Sequence, residues 1–501
     1  MAAHHHHHHQ KQIAIIGAGI SGLLACKYAL SKGFNPTVFE SQNGVGGLWA
    51  NTLPTTKLQT PKSLYQFSDF PWPESVATHF PTHDQVLDYL QSYADHFELT
   101  QHIKFNTKVI GIEYRGVAEE EVEAWALCGG NGDVFGSRGG KWEVEVRRSD
   151  GSEETEMYEA DFVILCVGKY SGVPNIPDFP PGKGPEAFKG KVIHSTLYSG
   201  LEAGESEKLV KGKRVAVVGF RKHAMDIAME CSGINGKGNP CRVLYRTERW
   251  SFPDWFPPFP CLYLSRFSEL LIHKPGEGLL LSLLATILSP IRWGISKFVE
   301  REIKRKHPLE KHGLVPKQSF LQDEGIEFEG GDKDENHHQQ QQPPPLEADL
   351  VILATGFKGE KKLQDIFGSK RFREIIVGPP NATVPLYRQC IPPRIPQLAV
   401  LGHSESIANL YTSEMRSRWL AELLDGKFRL PAIEKMEADA ANWDVFFKEY
   451  AGESYHRSSI ATVHVWYNDQ LCKDMGWNPR RKNGLWAELF EPYGPTDYVS
   501  P

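Results

Sequence analysis

The sequence predicts an α/β protein made of two Rossmann-like dinucleotide-binding domains, the second inserted into a discontinuous first. Three observations carry that reading. "IAIIGAGISGLL" near the N-terminus is a strand, a glycine turn and a helix start. "KRVAVVGFRKHAMDI", from Lys213, repeats the plan in altered form. Two buried-strand runs ending in glycine, "ADFVILCVG" and "ADLVILATG", echo each other far apart in the chain. At 501 residues the chain is also too long for one compact core. The expected divisions are a histidine tag at 1–10, the first part of the first domain at 11–198, the inserted domain at 199–345, and the rest of the first domain with a C-terminal extension at 346–501.

The elements follow in order. "IAIIG" reads as a buried strand, "ISGLLACKYALSKG" as a helix closed by Gly33, and "PTVFE" as the next strand. "HDQVLDYLQSYADHF" has helical spacing behind Thr82, a good cap. "FNTKVIGIEY" and "WEVEVRR" alternate like strands of a meander, separated by the glycine-rich "CGGNGDVFGSRGG". After "KRVAVVG" come a helix to about Cys231, the strand "CRVLYRT" and an aromatic, proline-rich stretch from Trp250 to Tyr263. That stretch suits a pocket wall, core packing or a membrane-facing surface equally. "DENHHQQQQPPP" is low-complexity linker.

Composition narrows the function. Hydrophobic residues at 40% and charged residues at 24% suit a soluble enzyme. A net charge of −6 gives no electrostatic case for nucleic acid, so the expected partner is a small molecule. Eight cysteines without a CxxC pair read as reduced thiols of a cytoplasmic protein and count against a disulfide reductase. The most apolar run, Leu279 to Ile291, is too short to span a bilayer and contains Pro290, so a buried or interfacial helix is expected. Peripheral contact with a membrane stays open, as does the oligomeric state.

Gly17-Ala18-Gly19-Ile20-Ser21-Gly22 fits G-x-G-x-x-G between strand and helix. Gly17 permits the tight turn, Gly19 the approach of a pyrophosphate, and Gly22 close helix packing; Ile20 and Ser21 open the helix toward the anion. Glu40 closes the second strand, where a carboxylate binds ribose hydroxyls and repels a 2′-phosphate. The site therefore suits FAD or NAD rather than NADP. "GVGGLW" lies just beyond, with Gly46 and Gly47 able to bring backbone to the cofactor again and Trp49 to pack nearby. The second motif keeps Gly219 but has Arg221 at the second glycine and Ala224 at the third. Arg221 and Lys222, with Arg246 and Arg249 after the next strand, are bases where the first site has an acid. They suit a 2′-phosphate, or else form a solvated basic turn. The pair reads as FAD first and NADPH second.

With these motifs in hand, the chain resembles the flavin-containing monooxygenases, most closely the plant branch that includes the pipecolate N-hydroxylases. "FKGKVIHSTLYS" fits the family pattern F-x-G-x-x-x-H-x-x-x-[YF]-[KR] through Phe188, Gly190, His194 and Tyr198, with Ser199 replacing the final base. "SDFPWP" and "LATGF" match as well. The resemblance implies that NADPH reduces FAD, oxygen adds to the flavin as a C4a-hydroperoxide, and a soft nucleophile takes the distal oxygen. The expected reaction is N-hydroxylation of a small amine, imine or amino-acid nitrogen. The alternatives are S-oxygenation of a thioether, or release of hydrogen peroxide by a flavoprotein that has lost productive turnover. The resemblance assigns FAD contacts to Gly17, Gly19, Gly22, Glu40, Leu48 and Trp49. It brings Val109 to the adenine, where a plain strand valine is the alternative, and Gly168 and Gly356 close to the cofactors. Gln59 takes the place of an active-site asparagine beside the flavin, against the alternative of a polar loop residue. His194 reads as structural. After Phe320 the family continues for several tens of residues that are missing here, a loss expected to favour peroxide release.

Overall fold

The computed structural model describes residues 11–127, 134–135, 139–149, 151, 154–202, 204–246, 250, 263–307, 309–312, 315–316, 346–406, 409–460 and 463–499. The tag, most of "CGGNGDVFGSRGG", Arg249, nearly all of the aromatic stretch and the linker lie outside the described residues.

Strand β1 (Gln12–Ile16) leads through Gly17 into helix α1 (Ile20–Ser31), and β2 (Asn35–Phe39) returns parallel to β1. β3 (Ile103–Lys104) and β7 (Phe162–Leu165) join the same sheet, and β12 (Leu398–Val400), from the far end of the chain, completes it in the order β12-β7-β1-β2-β3. Its central strands are covered on both faces, which is why they read as unbroken apolar runs. Ile15 and Val163 are fully buried, each worth about 1.5–3 kcal/mol of hydrophobic stabilisation. Helix α2 (His83–His96) packs on this core and opens on a capping box, in which the Gln85 side chain accepts the Thr82 N–H at 3.0 Å. Between β3 and β7 runs the antiparallel meander β4 (Thr107–Arg115), β5 (Lys141–Arg148), β6 (Thr155–Ala160).

The second sheet holds β9 (Val215–Val218), β10 (Arg242–Leu244), β11 (Leu350–Leu353) and β8 (Lys191–His194), all parallel, in the order β10-β9-β11-β8. This corrects the expected divisions at 198/199 and 345/346. β8 precedes the first and β11 follows the second, yet both belong to the inserted domain. The hydrogen-bond ladder decides membership: Ile193 and His194 pair with Ile352 and Leu353. The echo between "ADFVILCVG" and "ADLVILATG" gains its reason here. β7 beside β1 and β11 beside β9 are the same position in two copies of one sheet.

Candidate active site

The first glycine turn is shaped by contact. Gly17 has φ +105°, donates its N–H to the Phe39 carbonyl at 2.8 Å, and would put a Cβ 2.6 Å from the Cys166 carbonyl oxygen. A Cβ on Gly22 would fall 1.8 Å from the Gly17 carbonyl oxygen, so α1 leans directly on the turn. Gly19 is different. Its φ of −78° and ψ of −172° are open to any residue, but a Cβ there would meet the Gly47 Cα at 3.4 Å. Gly46 and Gly47, at φ +129° and +56°, bring the second turn against the first, and the Gly46 N–H reaches the Ala18 carbonyl at 3.2 Å. Ile20 and Ser21 are half-buried at the helix start. Beyond β12, Gly402 (φ +78°) would touch Ser21 Oγ with a Cβ. That glycine was missed, although "LAVLGH" carries the same strand–glycine signal as the other two runs.

Glu40 is buried with both oxygens engaged. Oε2 accepts the Ala18 N–H at 2.7 Å, and Oε1 accepts the Gln42 N–H at 2.9 Å and the Ser41 hydroxyl at 3.2 Å. It braces the turn and keeps lone pairs for a ribose hydroxyl. Lys362, from the other half of the chain, donates to the Val167 carbonyl and to Ser171 Oγ at 2.9 Å. Burial lowers its pKa, and nearby Glu40 pulls the other way. No sequence signal marks Lys362.

Gly219 reproduces Gly17. It has φ +139°, its N–H goes to the Leu244 carbonyl at 2.8 Å, and a Cβ would meet the Ala354 carbonyl oxygen at 2.5 Å. Arg221 holds Gly19's conformation, at φ −88° and ψ 174°, and is exposed. Neither helix N-cap receives a side-chain hydrogen bond, and neither first turn holds an acid. Both starts therefore suit a phosphate, and with Glu40 the first suits FAD. Lys222 departs from expectation. Its ammonium sits 2.7 Å from both Asp226 oxygens, and Thr56 Oγ1 donates to Asp226 Oδ2 at 2.9 Å. It is neutralised on its own helix face and is not a free phosphate ligand. Arg246 is exposed at the end of β10, while Arg249 lies outside the described residues.

The segments that follow β7 and β11 tie the two domains together. Gly168 (φ +66°) and Gly356 (φ +88°) follow β7 and β11, and a Cβ on either would meet nothing within 4 Å. The segments behind them pair: Pro174 bridges Phe357, the Asn175 N–H reaches the Gly356 carbonyl at 2.9 Å, and the Lys358 N–H reaches the Val173 carbonyl at 2.9 Å. A second tie crosses below, where Leu53 is buried in the core of the second domain. Gln59 lies on an exposed bend of that crossing loop. Trp49 donates to Tyr65 Oη at 2.8 Å, Leu48 is half-exposed, and Val109 sits at the bulge of β4.

His194 is structural. The Thr196 N–H donates to Nδ1 at 3.2 Å, which leaves Nε2 protonated and facing the Gly356 carbonyl at 3.0 Å. Burial lowers its pKa, in keeping with a neutral ring. The rest of its motif is packing too. Gly190 lies where a Cβ would be 2.5 Å from the Asp349 carbonyl oxygen, and buried Tyr198 donates to Glu230 at 3.0 Å. His403, after β12, was also missed. It is buried with Nε2 unpartnered, and burial, with Lys169 and Arg416 nearby, holds its pKa well below the ordinary range.

Two parallel sheets, each with a glycine turn between a strand and the helix after it, define a protein that binds two dinucleotides. The model of the family "Flavin-binding monooxygenase-like" matches residues 10–317 and 345–486, and the chain belongs to that family. It is 41% identical to the probable flavin-containing monooxygenase 1 of Arabidopsis thaliana, over 99% of this chain and 98% of that one. It is 27% identical to the rabbit (Oryctolagus cuniculus) dimethylaniline monooxygenase [N-oxide-forming] 2, over 94% and 83%. Among solved structures it resembles a steroid monooxygenase bound to NADP (TM-score 0.59, 19% identity, 94% of this chain and 99% of that one). It also resembles the S-allyl-L-cysteine S-oxygenase of Allium sativum (TM-score 0.58, 18% identity, 94% and 89%). The chain is thus a monooxygenase, and the cofactors of its family are FAD and NADP(H). The Arabidopsis alignment runs over 533 positions while using 99% of this 501-residue chain, so the relative has positions without a counterpart here. The family match itself breaks between 317 and 345.

Proposed function

We propose that this monooxygenase hydroxylates the nitrogen of a small amine, imine or amino acid at the expense of NADPH and O2. FAD, when bound, supplies the activation of oxygen. The protein's own part is to bind and orient. The turn at Gly17–Gly22 and Glu40 hold the adenosine and pyrophosphate end of FAD. The uncapped helix at Lys222 and exposed Arg221 and Arg246 hold the NADPH phosphates. The observation that carries the reading is the bridge between Pro174 and Phe357, which ties together the segments that follow the strand ends at Gly168 and Gly356. Cofactors held on the two sheets would share that junction, and the residue we assign to it is Gln59, on the exposed bend of the loop between the domains. The relatives named for N-oxide formation support nitrogen as the acceptor.

The test is a balance sheet of NADPH oxidised, hydroxylamine formed and peroxide released, taken with a panel of small amines, imines, amino acids and thioethers. Hydroxylamine matching NADPH supports the reading. Sulfoxide from thioethers alone replaces it with S-oxygenation. Peroxide equal to NADPH with every compound overturns it in favour of an uncoupled oxidase.

A further inference from the structure

The described thiols are of two kinds. Cys26, Cys166, Cys390 and Cys472 are buried, and burial pushes each thiol up, Cys472 to about 11 and Cys26 and Cys390 to about 12. Such thiols stay protonated and serve as packing groups. Cys241 differs. It is half-buried, stands one residue before β10, and packs against the core of the inserted domain, in which Cys231 is fully buried. The two thiols are in hydrogen-bond contact. That bond holds Cys241 below its ordinary value, while the same bond and burial push Cys231 up.

The fold explains why they meet. On the helix Lys222–Asn235 the buried residues Ala224, Ile227, Ala228 and Cys231 share one face at helical spacing. Gly236, at φ +61°, ends the helix, the chain turns back through a largely exposed segment at 236–240, and β10 enters the sheet parallel to β9 at Arg242. The last turns of the helix and the start of the strand thus bring the two sulfurs together. The lack of a CxxC motif excludes a thiol pair adjacent in the chain, and says nothing of a pair made by folding. Cys231 has a second partner, Tyr198 Oη at 3.7 Å, whose own proton goes to Glu230. Among the described residues no group of three His, Cys, Asp or Glu side chains could hold a metal ion, so the pair is not part of a metal site.

We propose that Cys231 and Cys241 form a dithiol that hydrogen peroxide converts reversibly into a disulfide. Cys241, the more accessible sulfur, takes the oxidant. Its thiolate attacks one peroxide oxygen, the S–O bond forms, the O–O bond breaks and hydroxide leaves, which gives a sulfenic acid. The Cys231 sulfur then attacks Cys241 Sγ, the S–S bond forms, the S–O bond breaks and the second oxygen leaves as hydroxide. The two thiol protons neutralise the two hydroxides. Two thiols and one hydrogen peroxide become one disulfide and two waters, with two electrons passed from sulfur to peroxide. The sulfurs close from hydrogen-bond contact to about 2.05 Å, and Cys231 gives up Tyr198. The exposed turn at 236–240 is the part of the loop that yields. The proposal stands apart from the acceptor of the enzyme's own oxygen, because the oxidant is supplied in the test.

The experiment exposes the full-length flavoprotein, reduced and freed of reductant, to hydrogen peroxide. Remaining thiols are blocked with iodoacetamide, and peptides are mapped by mass spectrometry without reductant. A peptide pair joined through Cys231 and Cys241, lighter by two hydrogen atoms, should predominate over every other linkage, and dithiothreitol should return both thiols. Cys241 should react about tenfold or more faster than Cys26 or Cys390. Cys231→Ser should stop at a sulfenic acid on Cys241, captured by dimedone, and Cys241→Ser should leave residue 231 a thiol. Both positions lie outside the cofactor sites, so unchanged FAD content and NADPH oxidation before peroxide treatment certify the fold of each variant. Should Cys231→Ser fail to fold, the wild type and Cys241→Ser at its half-buried position still decide the matter. Absence of the 231–241 linkage, a sulfinic acid on Cys241 in its place, preferred pairing with any other cysteine, or oxidation of Cys231 in Cys241→Ser each overturns the proposal.

Discussion

At the start of α1 the backbone of Gly19 lies at φ −78° and ψ −172°; at the start of the second domain's helix Arg221 lies at φ −88° and ψ 174°. One position keeps a glycine and the other carries a long base, with no difference in backbone conformation. A Cβ at 19 would reach ordinary contact with the Gly47 Cα, at 3.4 Å, whereas a Cβ on Gly47 would press the Gly19 Cα at 2.9 Å. Arg221 is exposed. The third motif position shows the same contrast. Gly22 has no room for a methyl, whereas Ala224 holds one, buried. A glycine motif therefore records two separate demands, the turn's φ and the neighbours' volume. Only the first is common to both sites, at Gly17 and Gly219.

The largest break in this comparison should come from exchanging the third residues. Gly22→Ala forces a Cβ against the Gly17 carbonyl oxygen, and overpacking of this kind costs about 1–3 kcal/mol or more. Purified protein should show little flavin absorbance and a lower melting temperature. Ala224→Gly should cost about 1 kcal/mol in denaturant titration and leave the flavin bound. Equal effects at the two sites would deny that volume separates them.

Arg221→Gly comes next, because it gives the second site the residue of the first. If Arg221 grips a phosphate, its removal should raise the KM for NADPH about tenfold, the weight of a charge-assisted bond, with kcat and FAD content little changed. An unchanged KM would make the motif a solvated turn.

A third test compares His194 and His403, beside the outer strands of the two sheets. Both have lowered pKa values through burial. A neutral buried histidine binds fewer protons than the unfolded chain below pH 6.5, so stability is full above that value and falls as pH drops through it, by up to about 1.4 kcal/mol per pH unit for each such group. His403, deeply buried with an unpartnered Nε2, should dominate. Melting temperatures of wild type and His403→Gln should converge as pH falls below 6.5. A wild-type profile flat through acid pH would contradict the neutral assignment.

The smallest effect is expected at Lys222. Its i,i+4 pairing with Asp226 predicts that Lys222→Met costs under about 0.5 kcal/mol and moves the KM for NADPH less than twofold. A tenfold rise would return Lys222 to the phosphate.

Some of this is legible in the sequence. Lys222 and Asp226 stand at helical i,i+4 spacing. Gly402 follows an apolar strand run in "LAVLGH", as Gly168 and Gly356 do in theirs. Membership of β8 was not legible, because its ladder partner β11 follows more than a hundred residues later, beyond any local pattern. Lys362 beside Glu40 is of the same kind. It enters the first site from a helix after β11, and nothing around it in the chain marks the contact.

By itself the sequence determined the strand–turn–helix units, the positive φ at Gly17 and Gly219, and the acid at Glu40. These follow from residues close together in the chain, where conformational limits and periodicity act directly. The tertiary structure alone decided why Gly47 has no room for a Cβ beside Gly19, where each strand belongs, and which face of Leu279–Lys306 meets solvent. Each depends on which distant segment, if any, occupies the space beside the residue, and only the packed chain supplies that neighbour.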